Sequence, residues 1–159
     1  MQTKLTDILL VEDNPHEAKL TIMSLQEHDL TQNLVHVEDG AEALDFLLAK
    51  GSFSDRIHKP NPRVVLLDLN LPKIGGLEVL RQMKENERTK HIPVVILSSS
   101  NQDKDVIESY RLGVNSYVVK PMEFDAFTKA IGDLGSYWML LNEGSVLLMM
   151  AKARMVIPE

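Results

Sequence analysis

Apolar and polar positions follow two rhythms along this chain. Five short apolar runs, near 7–11, 33–37, 63–67, 92–97 and 115–119, lack helical spacing and read as strands. Between them apolar residues recur every three or four positions, which predicts helices near 15–28, 40–50, 75–86, 102–112 and 123–141. Ala18, Ile22 and Leu25 mark the inner face of the first helix; Gly76, Val79, Leu80 and Met83 mark that of the third. The run Val64-Val65-Leu66-Leu67 is apolar on both faces, as in a strand covered on both sides of a parallel sheet. Repeated strand–helix units predict an α/β fold: a doubly wound, five-stranded parallel sheet with helices on both faces. Residues 51–62 fall outside this plan and read as a surface excursion, with no group aimed at the strand ends.

Composition narrows the class. At 159 residues the chain fits one domain with a full core. A net charge of −6 opposes a phosphate backbone, so direct nucleic-acid binding is not expected. No stretch approaches the roughly 20 apolar residues that span a bilayer, and no membrane association is expected. The absence of cysteine excludes disulfides and thiolate sites and fits a reducing compartment, so the expected location is cytoplasmic.

The chemistry lies where the strands end. In open parallel sheets, ligands bind beyond the carboxyl ends of the strands. Asp68 follows Val64–Leu67, Glu12 and Asp13 follow Asp7–Val11, and Lys120 follows Ser116–Val119. Any one of these has an ordinary structural explanation. Asp68 suits a turn or cap, Asp13 a helix cap before Pro15, and Lys120 a solvated tip. Together they place carboxylates close enough to repel unless a cation sits among them. Mg²⁺ needs only one or two protein carboxylates plus phosphate oxygens. Asp13 is then a direct ligand, and Glu12 a ligand either directly or through water. Ser98 ends the fourth run; its hydroxyl can donate to a phosphoryl oxygen or cap the helix near 102–112, and the run Ser98-Ser99-Ser100-Asn101 leaves the donor open by one position. Pro121 can hold the turn after Lys120, with a cis bond if the turn requires one.

The constellation describes a phosphoacceptor. Asp68 is the nucleophile that forms an acyl phosphate, while Mg²⁺ and Lys120 offset the negative charge that develops on the phosphoryl oxygens.

At Glu12-Asp13, Asp68 with Asn70-Leu71-Pro72, Ser98, Tyr117 and Lys120-Pro121, the chain resembles the receiver domain of two-component response regulators. The resemblance covers residues 7 to about 135 and implies a flavodoxin-like fold with strand order 2-1-3-4-5. It makes Asp68 the phosphorylation site and Asp13 and Asp68 metal ligands, with the backbone carbonyl of Asn70 as a third. It makes Ser98 and Tyr117 a switch pair; read from the sequence alone, Tyr117 is simply a half-buried strand aromatic. One departure is Lys73-Ile74-Gly75-Gly76, where the family often has aspartate before glycine, and this loosens the loop beside the site. A finer resemblance is to stand-alone receivers serving phytochrome-like histidine kinases. It rests on segment 51–62, on Tyr110–Tyr117, on Phe124-Asp125-Ala126-Phe127 and on Leu134–Trp138. That subgroup implies a sensor histidine kinase as partner and a homodimer built through the last helix and strand.

The C-terminal part supports a second apolar contact. Phe124, Phe127, Ile131, Leu134, Trp138 and Leu141 form a core stripe, and Tyr137, Met139 and Leu140 are apolar beside it. Ten of the 13 residues from Ser145 to Ile157 are apolar. Residues 1–141 are expected to form the receiver and 142–159 an arm that packs on a second subunit, with 102–141 in the same interface. With no room for an output module, signalling is expected through contact with a downstream effector or phosphotransfer protein.

Other functions fit less well. An aspartyl phosphatase of the haloacid-dehalogenase type wants a second aspartate two positions after the nucleophile; Asn70 cannot serve as that acid, leaving slow self-hydrolysis at most. A flavodoxin-like cofactor site would meet repulsion from Glu12-Asp13. An unphosphorylated scaffold dimer would show itself by indifference to the loss of Asp68.

Overall fold

A computed structural model describes residues 6–121 and 123–143. The tail beyond 143, Met122, and the side chains of Trp138, Met139, Leu140 and Leu141 lie outside the described residues, and with them the predicted arm. The elements alternate strictly: β1 (Ile8–Val11), α1 (Pro15–Gln26), β2 (Leu34–Val37), α2 (Gly40–Leu48), β3 (Val64–Leu67), α3 (Gly76–Glu85), β4 (Val94–Ser98), α4 (Asp103–Arg111), β5 (Ser116–Val119) and α5 (Phe124–Glu143). The strands are parallel in the order β2-β1-β3-β4-β5, so the expected flavodoxin-like topology is present.

Strand alternation divides the core in two. Leu9, Val11, Val65, Leu67, Val94 and Ile96 face one way, onto Val79, Leu80 and Met83 of α3 and Leu44 and Leu47 of α2. Ile8, Leu10, Val64, Leu66, Val95 and Leu97 face the other way, onto Ala18 and Leu25 of α1 and Phe127 and Ile131 of α5. Covering both faces is why these runs are apolar at every position.

Two local expectations change. Phe124, assigned to the core stripe of the last helix, is 54% exposed, because the stripe meets the sheet only from Phe127 onward. The 51–62 segment is built in rather than looped out. It forms a 3-10 helix, Gly51–His58, whose Arg56 is buried with its guanidinium 3.7 Å from the centre of the Phe46 ring. Arg56 donates to the carbonyls of Phe46 and Pro60. Arg88 donates to the carbonyls of Leu47, Arg56 and Ile57 and ties the segment down from the other side. Two arginines thus satisfy backbone carbonyls that a loose loop would leave to water.

Candidate phosphoacceptor site

Register brings the site together. Ile8 pairs with Val64 and Val11 with Leu67, so Glu12 and Asp68 come next in step on adjacent strands. Side chains at alternate positions share a face. Glu12 continues the face of Ile8 and Leu10, Asp68 that of Val64 and Leu66, and Lys120 that of Val118. All three emerge on the side covered by α1 and α5. Ser98 continues the face of Val94 and Ile96 instead, the side to which Tyr117 also packs. Asp68 and the Ser98–Tyr117 pair therefore leave opposite faces of one sheet edge.

Lys120 is the hub. Its Nζ donates to Glu12 Oε1 at 2.6 Å, to Glu17 Oε1, and to Asp68 Oδ2 at 3.2 Å. The side chains of Lys120, Glu12 and Asp68 are only 6%, 3% and 9% exposed. Burial pushes the Glu12 carboxyl up to about 7, with the Asp68 charge adding to it and the Lys120 ammonium opposing it. Burial also works against the Lys120 ammonium, but the bonds to Glu12 and Glu17 and the charge of Asp68 outweigh it and raise its pKa. The lysine is thus locked in its charged form.

The oxygens of Glu12, Glu17 and Asp68 lie within 4.8 Å of one another, a donor set suited to a hard divalent cation. Asp13 is exposed and outside this set. It does not cap α1 either: Asn14 does, its Oδ1 accepting from the amides of His16 and Glu17, with Pro15 opening the helix. Glu17 is the site residue that strand-end reasoning missed. The available signal was the Asn14-Pro15 helix start, which puts residue 17 in the first turn beside the strand tips.

The loop after Asp68 is tightly held. Asp68 Oδ1 accepts from the Asn70 amide at 3.3 Å, and Gly76 N donates to the Leu69 carbonyl at 2.9 Å. A Cβ on Gly76 would lie 2.2 Å from the Asp68 carbonyl oxygen, so α3 can seat under this loop only with glycine there. Lys73 takes the left-handed conformation (φ 68°), a strained choice for lysine, and its ammonium lies 3.3 Å from Asp39. The substituted 73–76 segment is therefore bonded in place, not loosened.

Ser98 is buried at the end of β4 and accepts from the Ser100 amide at 3.3 Å. It does not cap α4, whose cap residue Gln102 makes no side-chain bond either. Tyr117 points inward, its hydroxyl donating to the Ser100 carbonyl at 2.8 Å, and burial raises its pKa. Ser100, also missed in the sequence, in turn donates from its hydroxyl to Asp105 on α4 at 2.5 Å. The Lys120–Pro121 bond is trans: no cis peptide occurs among the described residues.

Residues 8–132 match the family model described as the response regulator receiver domain. The chain belongs to that family. It is 40% identical over 139 residues to the probable methanogenesis regulatory protein FilR2 of Methanothrix harundinacea, covering 85% of this chain and 84% of that one. It is 39% identical over 132 residues to the response regulator Rcp1 of Synechocystis, covering 83% and 88%. The structure of the phosphorylated cyanobacterial phytochrome response regulator RcpA superposes with a TM-score of 0.78 at 35% identity, covering 85% and 94%. A crystal structure of Rcp1 holds Mn²⁺. The resemblance to phytochrome response regulators read from the sequence is therefore borne out. As a receiver, the chain is a signalling protein of a two-component system.

Proposed function

We propose that Asp68 accepts a phosphoryl group from the histidine of a phytochrome-type sensor kinase and that the resulting acyl phosphate resets the surface around α4, β5 and α5. The observation that carries this reading is the convergence of Asp68, Glu12 and Lys120 from three strands onto one buried point. In the reaction an Asp68 carboxylate oxygen bonds to phosphorus as the phosphorus–nitrogen bond to the kinase imidazole breaks. The proton on Lys120 stays in place throughout, and its charge stabilises the phosphoryl oxygens. Glu12 and Asp68 would hold Mg²⁺ together with the Asn70 carbonyl and with Asp13, which would have to turn in from its exposed position beside Glu12; the ion would supply charge neutralisation at the phosphoryl group. Asn70 offers an amide rather than a carboxylic acid, so turnover as a phosphatase is not expected beyond slow self-hydrolysis.

A cleft of about 510 Å³ between α1 and α5, lined by His16, Leu20, Ser99, Pro121, Phe124 and Phe127, opens onto Lys120 and offers the kinase a path to the acceptor. On the far side, Ser98 turns toward the new phosphoryl oxygens and releases the Ser100 amide, while Tyr117 reports the change to α4 through Ser100. Coupling of this kind is typically about 1–3 kcal/mol.

Ile107 and Tyr110 on α4, Val119 on β5 and Tyr137 on α5 are exposed apolar groups, which supports a homodimer through this face and the arm at 142–159. Among the described residues no helix is long and apolar enough to cross a membrane, and the negative net charge disfavours nucleic acid, so a cytoplasmic protein acting by protein contact is the consistent picture.

The test is transfer from a radiolabelled phytochrome-type histidine kinase to wild type and Asp68→Asn, with mass measured by light scattering before and after. Label should leave the kinase for wild type alone and be blocked by EDTA. Equal labelling of both proteins would refute the assignment.

A further inference from the structure

An ammonium has three N–H donors, and on Lys120 all three are engaged, by Glu12, Glu17 and Asp68. A phosphoryl oxygen arriving at Asp68 can bond to Lys120 only by displacing one of them. The three differ in what displacement entails. Glu12 is buried at 3% exposure and belongs to the strand tip, and Asp68 is the acceptor itself. Glu17 stands on the first turn of α1 with 38% of its side chain exposed. It can turn into water without leaving a dehydrated charge behind.

We propose that Glu17 is a positioning residue that holds Lys120 in reserve, occupying the donor that a phosphoryl oxygen takes over and setting how readily the acceptor is charged. This rests on the phosphoacceptor reading of Asp68 given above. Two effects of the carboxylate act in the same direction. It competes for the ammonium proton, and its charge repels an incoming anionic phosphoryl group at the mouth of the cleft it helps to line. Nothing covalent changes at Glu17, and Lys120 keeps its proton as one ion pair gives way to another. The helix macrodipole at the start of α1 favours an acid there, so in the resting protein the carboxylate stays in place.

The test compares wild type, Glu17→Gln and Glu17→Ala in beryllofluoride titrations with Mg²⁺ held saturating, and in rates of phosphate uptake from acetyl phosphate. Both variants should bind beryllofluoride and take up phosphate about fivefold more readily, the factor that one half-exposed ion pair is worth. A purely structural role for Glu17 would not strengthen binding of a charged phosphoryl mimic. Mg²⁺ affinity, titrated separately, should change less than the beryllofluoride affinity. If wild type binds and both variants match it or fall below, the inference fails alone. If the variants lose Mg²⁺ affinity by more than about tenfold, Glu17 supports the cation instead and the inference is overturned. Should wild type take up neither probe, the phosphoacceptor reading fails and this inference falls with it.

Discussion

Three carboxylates crowd one ammonium at the sheet edge, so Asp68→Asn, which removes one of those charges without changing shape, is expected to stabilise the fold. The oxygens of Glu12, Glu17 and Asp68 lie within 4.8 Å of one another. At that separation and an effective dielectric constant of about 20, each pair of charges costs about 3–4 kcal/mol. The attraction of Asp68 to Lys120 across 3.2 Å offsets about 5 kcal/mol on the same scale. Two repulsions against one attraction leave a modest penalty for the Asp68 charge, reduced because solvent screens the half-exposed Glu17. Dehydration of a carboxylate only 9% exposed adds to that penalty. The asparagine oxygen can still accept from Lys120 or from the Asn70 amide but not from both, and its NH2 stands beside the Glu12 carboxylate that can accept from it, so the lost bond takes back part of the gain. We expect a net gain of about 1–2 kcal/mol, read as a Tm about 2–8 °C higher. The assay is urea and thermal unfolding in EDTA at about pH 8.5, above the Glu12 pKa of about 7, so that all three carboxylates carry charge. Added Mg²⁺ should shrink the difference, because a cation among the carboxylates relieves the wild-type protein and has less to relieve in the variant. An asparagine variant less stable than wild type in EDTA would refute the electrostatic account of the site.

Gly76→Ala should cost about 1–3 kcal/mol by chemical denaturation, because the added methyl would press on the Asp68 carbonyl oxygen and the Leu69 Cα; uptake from acetyl phosphate should slow in the same variant. Arg56→Ala should cost about 2–3 kcal/mol by urea unfolding, through loss of the Phe46 ring contact and two carbonyl partners. Phosphate uptake should be unchanged in that variant, because Arg56 bonds to the carbonyls of Phe46 and Pro60 and not to a strand-end residue. In EDTA, stability should fall as pH rises from about 4.5 to 7. The folded protein retains the Glu12 proton over that window, where the unfolded chain has lost it. The loss should be about 2–3 kcal/mol relative to Glu12→Gln, which lacks this titration, and unfolding midpoints across that range check it.

The sheet and the meeting of Glu12, Asp68 and Lys120 at its edge were legible because buried strands write themselves as unbroken apolar runs, and a carboxylate or lysine ending such a run stands out. The 51–58 helix was not, since its order comes from Arg56 and Arg88 bonding to carbonyls distant in sequence, a signal no local pattern carries. Glu17 looked like an ordinary helix-start acid; only the position of α1 against the sheet edge brings it to Lys120. Phe124 shared the stripe of Phe127 and Ile131, but the stripe could not say where along α5 the sheet begins to cover it. Asp13 and Glu12 are adjacent, yet strand alternation buries one and exposes the other, a distinction that depends on the parity of β1.

The identity of the atom that carries phosphate decides between mechanisms. Wild type would be charged from acetyl phosphate with Mg²⁺, reduced with borohydride, which converts an aspartyl phosphate to homoserine, and mapped by peptide mass spectrometry. Homoserine at position 68, absent when EDTA is added, is the predicted result. Stable phosphate on a serine or histidine, or homoserine at another aspartate while Asp68 stays intact, would contradict it.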